Sequence, residues 1–170
     1  MNKRVEEAIN KQINAEFYSA FLYLSMESYF QAEGLPGFGN WMRVQFQEEQ
    51  FHALKFYDFI HERGGKVVLA PIEGPQTQWK DAVDVFETTQ KHEQYVTSLI
   101  NDLMTVAIEE RDYATVNFLQ WFVNEQVEEE ANDARILDQL RMVYGNGHGL
   151  LMLDRELATR VFVPPVATAQ

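Results

Sequence analysis

A chain of 170 residues with 46% hydrophobic and 13% aromatic content is long enough to bury a substantial core and too apolar to stay disordered. Its formal net charge of −12 argues against nucleic acid as a partner and permits attraction of cations. The lack of Cys excludes disulfides, zinc knuckles and cysteine-ligated iron–sulfur clusters, and with no signal-like N-terminus or membrane-length apolar run the expected setting is soluble and cytoplasmic.

Helix periodicity predicts a first helix from about Lys3 to Ala32, ended by GLPG, where Gly34 closes one helix and Pro36 starts the next. A second helix runs to about Arg63 and stops at Gly64-Gly65. Residues 66–80, KVVLAPIEGPQTQWK, hold two prolines and a Val/Leu patch and read as a long ordered crossover. The third helix begins near Asp81, a suitable N-cap, and continues to about Glu110; Asp112 caps a fourth that reaches Tyr144. GNGHG then reads as a hinge before a short fifth helix, about Leu150 to Arg160, with residues 161–170 as a loose tail. Four helices of roughly thirty residues are each about 45 Å long. Short links make antiparallel neighbours and the long one joins parallel helices. The expectation is all-α: one domain over residues 1–170, an up-down-down-up four-helix bundle over about 3–144 with one crossover. No internal repeat favours a helical array.

The inward seams carry the chemistry. Steps of three and four give Val5, Ile9, Gln12, Glu16, Ser19, Tyr23, Met26 and Phe30 on the first helix, and Phe38, Met42, Gln45, Glu49, His52, Phe56 and Phe59 on the second. The third gives Ala82, Phe86, Thr89, Glu93, Val96, Ile100 and Leu103; the fourth gives Leu119, Phe122, Gln126, Glu129, Asp133, Ile136 and Leu140. Each seam is apolar at its ends and acidic near its midpoint, so Glu16, Glu49, Glu93 and Glu129 are expected at one level. Four unpaired carboxylates in a core repel one another and lose their hydration, so they are either protonated or compensated by cations. His52 follows Glu49 by three residues on the same face and adds a nitrogen ligand. An E-x-x-H pair with glutamates from other helices is the di-iron carboxylate pattern.

Other residues leave two readings open. Tyr23 is a core filler, or a phenol bonded to a ligand and near enough to donate an electron; Gln126 is a weak ligand, or an amide that orients a carboxylate. Glu48, Glu125 and Glu128 flank the layer, and spacing alone makes them a solvated face. HEQYV and HERGG lack the second histidine of a zinc-protease motif.

The stretches INAEFYSAFLYLSM, FQEEQFHALKFYDFIHERGG, KHEQ and NFLQWFVNEQVEEE resemble those of bacterial and archaeal non-haem ferritins, over nearly the whole chain. The resemblance implies a ferritin-like bundle with a short fifth helix, assembled with itself into a shell of 24 subunits. It implies a ferroxidase that oxidises Fe(II) with O2 or peroxide and stores Fe(III) oxyhydroxide. Two irons per subunit are expected: the first held by Glu16, Glu49 and His52, the second by the bridging Glu49 with Glu93 and Glu129, and Gln126 close by. A third, weaker position maps to Glu48, Glu125, Glu128 and Glu129, and Tyr23 matches the tyrosine beside the first position. Haem is not expected, because Gln50 stands where bacterioferritins carry the haem-ligating Met; Asn132, three residues after Glu129, stands where their symmetric site repeats the histidine. The competing functions are a di-iron oxidoreductase acting on an organic substrate and a purely structural acidic bundle. The fifth helix, with Leu150, Leu151, Leu153 and Leu157, is expected at subunit contacts.

Overall fold

The computed structural model describes residues 1–164. Five helices follow in order: α1 (Lys3–Ala32), α2 (Pro36–Glu62), α3 (Ala82–Glu109), α4 (Tyr113–Met142) and α5 (Gly147–Leu157). Their ends follow local chemistry. The Asn2 side chain accepts from the Arg4 and Val5 amides, Asp81 from Asp84 and Asp112 from Thr115, so the first orphan donors of α1, α3 and α4 are satisfied from within. The part of the tail at residues 165–170 lies outside the described residues.

The crossover is pinned along α1. Asn10 bonds Lys66 and Val68, Asn14 bonds Ala70 and Pro71, Ser25 bonds the Gln76 carbonyl, and Tyr29 packs edge-on against Trp79. These anchors climb α1 in order, so the crossover travels the bundle's length and delivers α3 parallel to α2. The up-down-down-up order follows.

The fifth helix departs from expectation. It begins at Gly147, because Asn146 caps it by accepting from the Gly149 amide, and it ends at Leu157 rather than near Arg160. GNGHG is therefore half helix, and Gly149 is required there: a Cβ would lie 2.8 Å from Val143 Cγ1. Leu153 and Leu157 are buried against the chain's own bundle, whereas Leu151 and Met152 face outward. Leu151 and Met152, with the partly exposed Leu150, remain accessible on the outer face of α5.

α5 also completes α2. Leu35 offers no side-chain cap, and the Gly37 and Phe38 amides instead donate to Asp154 Oδ1 at 2.8 and 3.0 Å. A Cβ on Gly37 would sit 1.6 Å from the Asp154 carbonyl oxygen. Gly37→Ala is therefore expected to unseat α5 and cost about 3 kcal/mol. Thermal melting, with limited proteolysis at residues 143–149, reads both effects.

The core is split in two. One apolar cluster joins Met26, Phe30, Phe38, Met42, Phe86, Ile136 and Leu140 to α5; the other joins Val5, Ile9, Phe56, Ile60, Ile100, Leu119 and Phe122. Every seam residue named above is buried except Ala82, which is partly so. Between the clusters lies a polar layer. Among the described residues no helix is long and apolar enough to cross a membrane.

Candidate metal centre

The polar layer is built from the middles of all four long helices. Glu16 is 1% exposed, Glu49 2%, His52 3%, Glu93 0% and Glu129 5%, so none of the five is hydrated as it would be on a surface. Glu16, Glu49 and His52 each offer a ligand atom within 4.8 Å of the others. Glu93 and Glu129 line the same layer but stand outside that tight group, tied to other side chains.

Those ties set orientation. Gln12 donates to Glu16 Oε1 at 2.8 Å from one turn below. The Tyr23 hydroxyl donates to Glu93 Oε1, and Gln126 Nε2 donates to Glu93 Oε2 at 3.0 Å. Tyr23 is thus bonded to Glu93 rather than to the Glu16–Glu49–His52 group. Gln45 Nε2 donates to Glu129 Oε2 at 2.9 Å. Each of these carboxylates is held by an amide, and Glu93 by a phenol as well.

Two buried oxygens in this layer, Glu16 Oε2 and Glu49 Oε2, have no hydrogen-bond partner. A buried charged oxygen without a partner costs several kcal/mol, and the group responds by holding its proton. Burial, then the neighbouring Glu49 charge, pushes the Glu16 carboxyl well above the usual carboxylate range. Burial, then Glu93, does the same to Glu49. Glu93 is pushed up to about 8 by burial and by Glu129, against the opposing bonds from Tyr23 and Gln126. Burial and the Glu93 charge raise the Tyr23 phenol, keeping it a proton donor. This donor set fits a divalent cation: hard carboxylate oxygens and one imidazole, with two oxygens that have no hydrogen bond and Glu49 Oε2 only 3.5 Å from His52 Nδ1.

The flanking acids behave differently. Glu48 and Glu125 are half-buried and Glu128 is exposed. Burial raises Glu48 to about 7, opposed by Arg160 beside it, and burial also raises Glu125. The charges of Glu129 and Glu125 add to the rise at Glu48, and those of Glu128 and Glu129 to the rise at Glu125.

Some participants were on the seams without being singled out. Gln12 and Gln45 orient carboxylates, and an amide interrupting an apolar stripe beside an acid is the signal that marks them. Asp133 is 1% exposed and neither of its oxygens has a partner. Burial, then Glu93 and Glu129, raises its carboxyl far above normal. Asp133→Asn is therefore expected to stabilise the metal-free protein at about pH 8 by roughly 1–3 kcal/mol, fading at about pH 5. Melting curves at the two pH values test it. His92 lies behind Tyr23, bonded to Ser19 Oγ at 2.8 Å, and burial lowers it to about 4. A groove of about 620 Å³ between α1 and α3 reaches His92 and Gln12, but its lining includes none of the four central glutamates.

The chain matches the ferritin-like domain family over residues 6–143. It is 41% identical to a bacterial non-heme ferritin of Bacteroides fragilis, across 94% of this chain and 99% of that one. It is 39% identical to a probable bacterial non-heme ferritin-like protein of Haemophilus influenzae, across 92% and 95%. Among solved structures, an open-pore ferritin from the archaeon Archaeoglobus fulgidus superposes with a TM-score of 0.94 at 51% identity, covering 95% of this chain and 99% of that one.

Proposed function

The chain belongs to the ferritin family of iron-storage proteins, and on that premise we propose that it binds and oxidises Fe(II) within its own bundle and stores the ferric product as mineral inside a shell of identical subunits. Iron is the substrate and the cargo. Glu16, Glu49 and His52 take the first Fe(II); Glu49, Glu93 and Glu129 take the second, with Gln126 beside it. Glu48, Glu125, Glu128 and Glu129 form a third, weaker position on the way out.

One observation carries this reading. Glu16 and Glu49 each keep a buried oxygen with no hydrogen-bond partner, Glu49 Oε2 stands 3.5 Å from His52 Nδ1, and the three residues each offer a ligand atom within 4.8 Å of the others, so a shared cation would relieve the crowded carboxylates. Two adjacent metals can pass two electrons together to one small oxidant. Dioxygen takes two electrons and two protons to give hydrogen peroxide; hydrogen peroxide takes two electrons and two protons to give two waters. The residues' part is to favour the ferric state through anionic oxygen and to hold the pair in place. The Tyr23 hydroxyl donates to Glu93 Oε1, which supports a role for this phenol as an electron donor to the neighbouring irons.

Exposed Phe21, Val68 and Leu69 on α1 and the crossover, and Leu151 and Met152 on α5, support assembly with further copies. A shell of 24 is the proposed assembly.

Aerobic Fe(II) addition, followed by absorbance and by electron microscopy, is the test. Rapid oxidation with electron-dense cores in hollow shells is expected. Metal binding with no mineral would point to an oxidase acting on an organic substrate, and no oxidation to a structural bundle.

A further inference from the structure

The outermost acid of the centre, Glu48, already has a cationic partner. Arg160 lies three residues beyond the end of α5 and folds back along α2. Its Nη2 donates to Glu48 Oε2 at 2.6 Å, and its Nη1 donates to Gln45 Oε1. Its guanidinium carbon stands 3.8 Å from the Trp41 ring centroid. Trp41, Gln45 and Glu48 sit four and three residues apart on one face of α2, so a single planar group spans all three. Gln45 in turn donates to Glu129 Oε2 at 2.9 Å. One guanidinium therefore touches Glu48 directly and Glu129 through one amide. Both are acids of the third position.

We propose that Arg160 is a built-in competitor for that position, its guanidinium occupying Glu48 until a divalent cation displaces it. The proposal rests on the ferroxidase reading given above and specifies what keeps its third position weak. A metal dication and a guanidinium cannot share Glu48 Oε2, since like charges a few ångströms apart in a partly buried site repel strongly. The side chain is 17% exposed, so solvent screens that repulsion only in part. Displacement does not require α5 to move. Asn40 Nδ2 holds the Leu157 and Arg160 backbone carbonyls at 3.1 and 3.0 Å, and Asp154 caps α2 independently of the arginine side chain. The displaced guanidinium keeps the Trp41 face as a resting place. A position crossed by iron on its way to a mineral gains from this arrangement: Glu48 is charge-paired when the position is empty, and the position releases its cation when Arg160 returns.

The test is calorimetric titration of Zn(II), which has no redox chemistry, into the metal-free, full-length assembly. Wild type, Arg160→Gln, Arg160→Met, Arg160→Lys and Glu48→Gln are compared, with melting and assembly size measured for each. Both neutral variants at 160 are expected to tighten the weakest class of Zn(II) sites by at least about tenfold and leave the tighter classes unchanged. Arg160→Lys, which keeps the charge, should stay within about threefold of wild type. Glu48→Gln should remove the weakest class whichever residue stands at 160. Unchanged or weaker binding in both neutral variants would overturn the proposal, as would a weakest class that survives Glu48→Gln. Tight classes present with no weak class in any variant would overturn the proposal while leaving the ferroxidase reading intact. Loss of the tight classes from wild type itself would remove that reading, and the proposal with it.

Discussion

Replacing Glu49 with alanine is expected to slow the fast phase of Fe(II) oxidation by more than about a hundredfold while leaving the bundle folded. In the proposed centre Glu49 is the carboxylate shared by both iron positions. It lies within 4.8 Å of Glu16 and His52, and the charge of Glu93 is the largest neighbouring influence on its carboxyl. Removing it takes a ligand from both iron positions at once and leaves the irons nothing to share. Glu16→Ala and Glu93→Ala each remove a ligand from one position and should be milder. Glu48→Ala, outside the pair, should preserve the fast phase and alter only later turnover. Folding should survive because Glu49 carries an unpartnered buried oxygen, so alanine exchanges a desolvation penalty for a small cavity. Stopped-flow absorbance after aerobic mixing gives the rate. A fast phase that persists in Glu49→Ala would remove the proposed bridge.

The layer that this prediction probes could be read from the sequence because it breaks a strong rule. On a helix the apolar period is unambiguous over thirty residues, so an acid on the stripe stands out, and four acids at four midpoints coincide however the helices pack. The same logic placed Gln12, Gln45 and Asp133 inward, although their partners only emerge in three dimensions. Arg160 obeys no such rule. It follows a short helix, its neighbours in sequence say nothing of Glu48, and its contact is 112 residues away. The start of α5 was hidden for a related reason. Glycine usually ends helices, yet Gly147 and Gly149 lie within one because Asn146 caps it, and at Gly149 Val143 leaves little room for a side chain. The burial of Leu153 and Leu157 within the chain likewise depends on Asp154 reaching the start of α2, a contact without any local signature.

Without metal, the protein is expected to lose stability as pH rises above about 6.5, and divalent cations should restore it. In the unfolded chain Glu16, Glu49 and Glu93 ionise near the ordinary glutamate value of about 4.3. In the fold Glu93 holds its proton to about 8, and Glu16 and Glu49 hold theirs well above the usual range. The folded state thus binds protons that the unfolded state has released. Their stabilising effect is complete below about 4.3 and is lost as pH climbs through the folded values. At about 1.4 kcal/mol per pKa unit, Glu93 alone accounts for roughly 3–5 kcal/mol. His92 works in the opposite sense at lower pH. Burial lowers it to about 4, so between that value and about 6.5 the unfolded imidazole binds a proton that the folded one does not, and acid destabilises through it. The two effects oppose one another up to about pH 6.5, and above it only the carboxylates remain. Melting temperatures in chelator should therefore fall steadily from about pH 6.5 to 8.5, and His92→Gln should steepen the dependence on the acid side by removing the offset. Zn(II) takes the place of the protons, so it should raise the melting temperature more at about pH 8 than at about pH 5.5 and release protons as it binds. Titration in two buffers of different ionisation enthalpy counts those protons. A metal-free protein whose melting temperature stays level or rises from about pH 6.5 to 8.5 would mean that the central glutamates are already ionised and paired, and would contradict the electrostatics on which the centre is built.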